Sequence, residues 1–212
     1  MALDPKQLNY RNITISGLPG TGTTTLMRLL EKKLGWKGYS GGEFMRAYAL
    51  EKGIFKSQQG MHHFATDYED DFDRKIDMGV RDKLNKQSGG IYEAWLTGFL
   101  AQGIEGTMKV LLVCSDDAIR VDRVVNRDHV TVAQAKDHIL TREEQNRRKW
   151  TLMYKNEWFD WVVKAGAVGE EEPIDFWDPR IYDLIIDTYS NSREESLRKV
   201  LDKVGYFRAI TP

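Results

Sequence analysis

The sequence predicts an α/β fold in which βα units wrap a parallel sheet, and three observations carry that prediction. Short apolar runs alternate with longer amphipathic stretches along the chain. A glycine-rich turn, Gly17-Leu18-Pro19-Gly20-Thr21-Gly22-Thr23-Thr24, joins an apolar run to a stretch with helical spacing. With 212 residues, 41% of them hydrophobic, there is material for one well-buried core.

The elements follow in order. Ile13 and Ile15 mark a first strand, about 12–16, and the glycine-rich turn follows it. Leu26, Leu29, Leu30 and Leu34 recur at helical spacing over about 24–34. An extended piece, Trp36 to Tyr39, leads through Ser40-Gly41-Gly42 to a helix near 43–52. Residues 68–86 form the clearest amphipathic helix, with Phe72, Ile76, Val80 and Leu84 as its buried stripe and Gly89-Gly90 after its end. A strand is expected over 91–96 and another over 108–114, the latter followed by the N-cap signal Ser115-Asp116-Asp117. Helices over about 118–126 and 132–154 flank a break at His129-Val130. The stretch 157–178 reads as an aromatic, packed insertion, followed by a last strand at 182–187 and a last helix at 193–204.

Composition narrows the function classes. Charged residues make up 30% of the chain, 31 basic against 32 acidic, for a net charge of −1. That balance speaks against a general nucleic-acid or membrane binder, which carries a basic surplus. The lone cysteine, Cys114, sits in an apolar run, reads as core packing and forms no internal disulfide. No apolar stretch approaches the ~20 residues of a membrane span, and Met1 to Tyr10 lack an apolar signal core, so a cytoplasmic site of action is expected. His62-His63 has no other clustered ligand residues, and no metal site is expected there.

The glycine-rich turn has the context of a phosphate-binding loop. Its glycines let successive N–H groups turn inward around an anion, and the following helix aims its N-terminus at the same place. Gly17, Pro19, Gly20, Thr21, Gly22, Thr23, Thr24 and Thr25 are the candidate nucleotide-binding residues, with Thr24 in the hydroxyl position that ligates Mg²⁺. The lysine expected after the last glycine is Thr23 here, so another cation must neutralise charge during phosphoryl transfer.

Arginines are available for that task. Arg120, Arg123 and Arg127 fall within one ~60° sector of a helix, and Arg142, Arg147, Arg148 and Lys149 follow on the next. Two arginine-bearing helices joined by a short turn are what a lid closing over a triphosphate needs. A solvated helix pair with Arg–Glu contacts is the plainer alternative. Glu93, at a strand end, would face the loop and hold Mg²⁺ through water. Asp73, Asp77 and Arg81, opposite the apolar stripe of their helix, form either a solvated face or the floor of an acceptor site. Arg46 would reach an acceptor phosphate.

Together these segments resemble the archaeal-type cytidylate kinases, a branch of the nucleoside-monophosphate kinases. The segment 13–25 is very similar to that family's opening, and some members of this branch also carry threonine at the P-loop lysine position. Ser40-Gly41-Gly42-Glu43-Phe44-Met45-Arg46 resembles the family segment whose arginine grips the acceptor monophosphate. Phe72 to Asp77, Arg123 with Arg127, Arg142-Glu143-Glu144 with Arg147-Arg148, and Tyr182 to Thr188 resemble later family segments.

The resemblance implies a P-loop NTPase fold, three-layer α/β/α with a five-stranded parallel sheet, a helical acceptor-binding region and a lid. In this sequence that means a single domain with core segments at about 12–40, 88–126 and 181–204. The acceptor region would cover about 41–87, the lid about 127–142 and the aromatic insertion about 156–180. It further implies ATP and Mg²⁺, CMP or dCMP as acceptor, and a monomer or homodimer acting on small nucleotides. Arg123, Arg127, Arg142 and Arg148 would close over the γ-phosphate. Arg46, Asp73, Asp77, Arg81 and the residue at position 95 would lie at the acceptor, and Thr24 with Glu93 at the metal.

Three departures stand out. The family's third strand ends Glu-Gly-Arg where this chain has Glu93-Ala94-Trp95, the basic pair after the helix aspartate is Met78-Gly79, and the insertion is long. Trp95 motivates a second reading, a P-loop kinase for another small acceptor. The lost lysine and arginine motivate a third, a nucleotide-binding protein without catalysis.

Overall fold

The computed structural model of the chain describes residues 2–51 and 70–210, with backbone alone for Arg46, Ala49, Leu50, Asp70, Asp71 and His138. The expectations for His62-His63 and for the first residues of the helix begun at Tyr68 lie outside the described residues.

A five-stranded, all-parallel sheet has the order β2-β3-β1-β4-β5. The strands are β1 Asn12–Gly17, β2 Lys37–Ser40, β3 Gly90–Glu93, β4 Thr107–Val113 and β5 Leu184–Asp187. The helices are α1 Thr23–Leu34, α2 Gly41–Glu51, α3 Asp70–Lys86, α4 Thr97–Leu100, α5 Asp117–Asp128, α6 Val132–Met153, α7 Lys155–Trp158, α8 Arg193–Val204 and α9 Tyr206–Ala209.

Two apolar layers cover the sheet. Ile13, Ile15, Val110 and Leu112 face Leu26, Leu30 and Leu34 of α1 and Val200 and Val204 of α8. Leu111, between two of those β4 residues, points the other way into a cluster of Phe99, Tyr154, Trp158, Phe176 and Tyr182. That two-residue alternation, with both faces covered, makes the three-layer α/β/α sandwich. All six residues of β1 are buried, as its central place in the order requires.

Parallel strands end on one edge of the sheet, and open α/β sheets bind ligands beyond those carboxyl ends. Here that edge gathers the glycine-rich loop after β1, Ser40 after β2, Glu93 at the end of β3 and the segment 188–192 after β5. The strand expected over 91–96 stops at Glu93, because Thr97 opens the short helix α4. Thr97 Oγ1 donates to the Ile15 carbonyl at 3.1 Å, and the Gly98 N–H donates to Ser16 Oγ at 2.8 Å, so α4 is stitched onto the centre of the sheet.

The insertion is packed, as its aromatic content suggests: Trp158, Val162, Phe176 and Trp177 are buried. It contains α7, a π-helical turn at Phe159–Val163 and a 3-10 turn at Pro179–Ile181. Cys114 is buried too. Among the described residues no helix is long and apolar enough to cross a membrane.

Candidate active site

Gly17 to Gly22 leave β1 in a tight loop that two glycines make possible. Gly20 and Gly22 have φ of 84° and 93°, in the left-handed region where a Cβ is penalised. A Cβ on Gly20 would also lie 2.6 Å from the Arg120 carbonyl oxygen. Helix α5 braces the loop from behind. Arg120 Nε donates to the Pro19 carbonyl at 3.2 Å, and Arg123 Nη1 donates to the Gly20 carbonyl at 3.1 Å. A trans peptide points its C=O and N–H in opposite directions, so holding the Pro19 carbonyl on α5 turns the Gly20 N–H away from that helix. The N-terminus of α1 follows at once, with Gly22 as N-cap and no side chain covering the cap.

Glu93 is the hub of the site. It is 8% exposed, and both of its oxygens accept hydroxyl hydrogen bonds. Thr23 Oγ1 lies 2.8 Å from Oε1, Ser40 Oγ 2.7 Å from Oε2 and Thr24 Oγ1 3.4 Å from Oε2. The structure thus brings together the predicted Thr24 and Glu93 and adds Ser40, which sequence reasoning missed. Thr23, where the lysine belongs, is buried and turned to Glu93; its short side chain carries no charge toward a phosphate. A groove of about 980 Å³ opens above the loop, lined by 17–25, Glu93, Trp95, Arg123, Asn126, Arg127, Arg142 and 188–193.

The four arginines expected over the triphosphate part ways. Arg127 and Arg142 line the groove. Arg127 is half-exposed and paired with its neighbour Asp128 at 2.6 Å. Arg123 also lines the groove, but as a strut: besides Gly20 it donates to Thr188 Oγ1 at 2.8 Å and to the Thr188 carbonyl at 2.9 Å, tying the loop to the segment after β5. Arg148 is exposed and borders neither this groove nor the second cavity. Six residues separate it from Arg142, which at 100° per residue puts it about 120° around the helix. His129, with φ of 54°, forms the corner between α5 and α6, and Thr131 with Gln134 caps α6.

A second cavity of about 120 Å³ adjoins the groove, lined by Gly41, Gly42, Met45, Asp73, Ile76, Asp77, Trp95, Arg142, Asn146 and Trp150, among others. Asp73 and Asp77 lie inward, against α6. The expectation that they oppose the apolar stripe of α3 is corrected: each follows an apolar residue by one position, only about 100° around the helix. Lys149 donates to Asp73 at 3.0 Å, with both side chains under a tenth exposed. The Tyr154 hydroxyl donates to Asp77 at 2.6 Å. Arg74 pairs with Glu157 beyond them. Asn146, 2% exposed, lines the cavity and was missed, as were Lys149 and Tyr154 as partners of these acids.

Arg81 is corrected as well: its guanidinium donates to the Leu100 and Gln102 carbonyls at 2.6 and 2.9 Å and stacks on Trp161, and it does not line the cavity. Arg46 lies in α2, and its side chain is outside the described residues.

The buried pair makes a stability prediction. Lys149→Met leaves the Asp73 carboxylate buried without that ammonium, and the urea midpoint is expected to fall by the equivalent of about 3–5 kcal/mol. An unchanged midpoint would show the pair to be idle.

A second prediction concerns pH. Burial, foremost, lifts the Asp77 carboxyl to about 7; the Tyr154 hydrogen bond and Lys149 pull it down, and Asp73 pushes it up. An unfolded aspartate titrates near 3.9, so between about pH 4 and 7 the native state holds a proton the unfolded chain has lost. Stability therefore falls as pH rises through that window. Asp77→Asn is expected to remove that part of the slope in unfolding curves taken from pH 5 to 8; an identical slope would contradict the assignment.

Sequence comparison decides the family. A sequence model of the cytidylate kinase-like family matches residues 12–190. The chain belongs to the cytidylate kinase-like family. Proteins named cytidylate kinase from Methanothrix thermoacetophila and Pyrococcus abyssi are 31% and 33% identical to it, over 83% and 86% of this chain and 87% of each relative. Among solved structures, an uncharacterized protein from Eubacterium ventriosum superimposes with a TM-score of 0.57 at 14% identity, covering 91% of this chain and 96% of that one. A gluconokinase from Sinorhizobium meliloti gives 0.52 at 12% identity, covering 93% of each. These likenesses establish a shared fold.

Proposed function

We propose that this chain transfers the γ-phosphoryl group of ATP to CMP or dCMP. The observation that carries the reading is the adjacency of two cavities of different character across the Glu93–Trp95 strand end. One is a long groove on a P-loop, and the other is a small pocket lined by buried carboxylates, an amide and tryptophans. The relatives named cytidylate kinase supply the activity and the acceptor.

The loop amides and the α1 N-terminus would cradle the β- and γ-phosphates. Residues present at the site fit Mg²⁺: Thr24 offers a hydroxyl and Glu93 a carboxylate 3.4 Å from it, an all-oxygen set suited to a hard cation that keeps several waters. Held by Thr24 and Glu93, Mg²⁺ would supply positive charge that neutralises the triphosphate.

In the reaction the bond between the γ-phosphorus and the β–γ bridging oxygen breaks. A bond forms from an acceptor phosphate oxygen to that phosphorus, leaving ADP and CDP. No protein group needs to become covalently attached; positioning and charge carry the catalysis. Arg127 supplies the guanidinium charge that Thr23 cannot, and Arg123 holds the loop in shape. The segment of about 127–142, which turns at His129 from the end of α5 into α6, acts as the lid that closes the groove and excludes water. Asp73, Asp77 and Asn146 present acceptors and donors to the base of the acceptor nucleotide, and Arg46 is the family-implied candidate for its phosphate.

A panel of nucleoside monophosphates and small hydroxylated or phosphorylated metabolites, read by ADP release with Mg²⁺ and ATP, tests the reading. CMP or dCMP is expected to give the highest kcat/KM. A non-nucleotide acceptor that outperforms both would overturn it.

A further inference from the structure

The groove and the small cavity share a wall, and Trp95 and Arg142 belong to both. Arg142 comes from α6 and sets its guanidinium carbon 5.0 Å from the centre of the Trp95 ring, within cation–π range. Among the described residues lining the small cavity it is the one basic side chain; the other ionisable groups there, Asp73 and Asp77, are acids. Asp73 already has the Lys149 ammonium and Asp77 the Tyr154 hydroxyl, whereas an acceptor monophosphate is a dianion that a cation at the cavity's mouth would attract.

The Trp95 ring is itself held. Trp150 meets it edge-on at 5.4 Å and Trp177 at 6.1 Å. The Trp177 indole N–H donates to the Trp95 carbonyl at 3.1 Å. Trp177 is in turn covered by Arg147 at 4.7 Å, and Arg147 pairs with Asp175 at 3.0 Å. The insertion thus backs the strand end through Trp177.

We propose that Trp95 is a positioning residue that stacks Arg142 at the junction of the two cavities. There the guanidinium takes the acceptor phosphate in place of a strand-end arginine. A guanidinium over a ring face carries a planar fork of N–H donors that can meet two phosphate oxygens at once, which a lysine over the same ring does not reproduce. This assignment rests on the reading of the chain as a kinase for a nucleoside monophosphate.

Steady-state kinetics with CMP and ATP varied separately test it. Trp95→Leu removes the π face, and KM for CMP is expected to rise about ten-fold while KM for ATP stays within about two-fold. Trp95→Phe, which keeps a weaker π face, is expected to recover part of that loss. Arg142→Lys, made in the unaltered aromatic setting and so independent of how Trp95→Leu packs, is expected to show the same CMP-selective rise.

A wild-type chain that makes CDP, beside variants whose KM for CMP is unchanged or rises in step with KM for ATP, would overturn the assignment alone. A wild-type chain that releases ADP with other acceptors but makes no CDP would overturn the reading of the activity beneath it.

Discussion

Arg127→Ala is expected to lower kcat by about 10²–10³-fold with the melting temperature held within about a degree. The size follows from what one guanidinium does for a transferring phosphoryl group in a site that excludes water. Its weight is greater here because the P-loop position that normally carries an ammonium is a buried threonine turned to Glu93. The unchanged stability follows from its surroundings: Arg127 is 54% exposed, and its partner Asp128 is the next residue in the chain. Exposed pairs of that kind contribute well under about 1 kcal/mol. Turnover that survives the substitution would move the neutralising charge elsewhere in the groove. A loss of turnover matched by an equal loss of melting temperature would make Arg127 structural.

Glu93→Gln is expected to reduce kcat/KM for Mg·ATP by about 10²-fold and to raise the Mg²⁺ concentration needed for half-maximal rate. The carboxylate accepts from Thr23 and Ser40 and lies 3.4 Å from Thr24 Oγ1, so it fixes the start of α1 and the end of β2 relative to the loop. An amide of the same shape keeps most of that architecture and loses the charge. Glu93→Leu separates the two contributions. It orphans the Thr23 and Ser40 hydroxyls, at about 1–3 kcal/mol for each that stays dry, and its thermal midpoint should drop where that of Glu93→Gln does not. Equal Mg²⁺ dependence in wild type and Glu93→Gln would remove the carboxylate from the metal's surroundings.

What could be read from the sequence depended on how far apart the interacting residues lie along it. β1, the loop and α1 are contiguous, and glycine spacing between an apolar run and a helical period is a local signal. The later strands and the corner at His129 were likewise approachable from apolar runs and caps, and α8 has the boundaries its Ser192 capping box dictates. Helix α4 escaped notice because Thr97–Leu100 is one turn long and wholly buried, too short to show a period.

Asp73 and Asp77 were assigned to the wrong side of α3 against plain helix geometry, whereas their partners, Lys149 and Tyr154, lie more than seventy residues away where no local pattern points to them. The displaced Arg148 was avoidable, since helix geometry alone separates it from Arg142. Trp95 was the most informative departure. Its replacement of an expected arginine was visible, but the stacking partner, Arg142, and the brace, Trp177, come from distant segments that no local pattern connects.

The most direct measurement follows phosphorus itself. Phosphorus NMR of the purified chain with ATP, Mg²⁺ and CMP should show the β-phosphate of CDP and the β-phosphate of ADP growing together in equal amounts, with no excess inorganic phosphate. Release of inorganic phosphate without CDP, or an ATP spectrum that stays unchanged, would contradict the account.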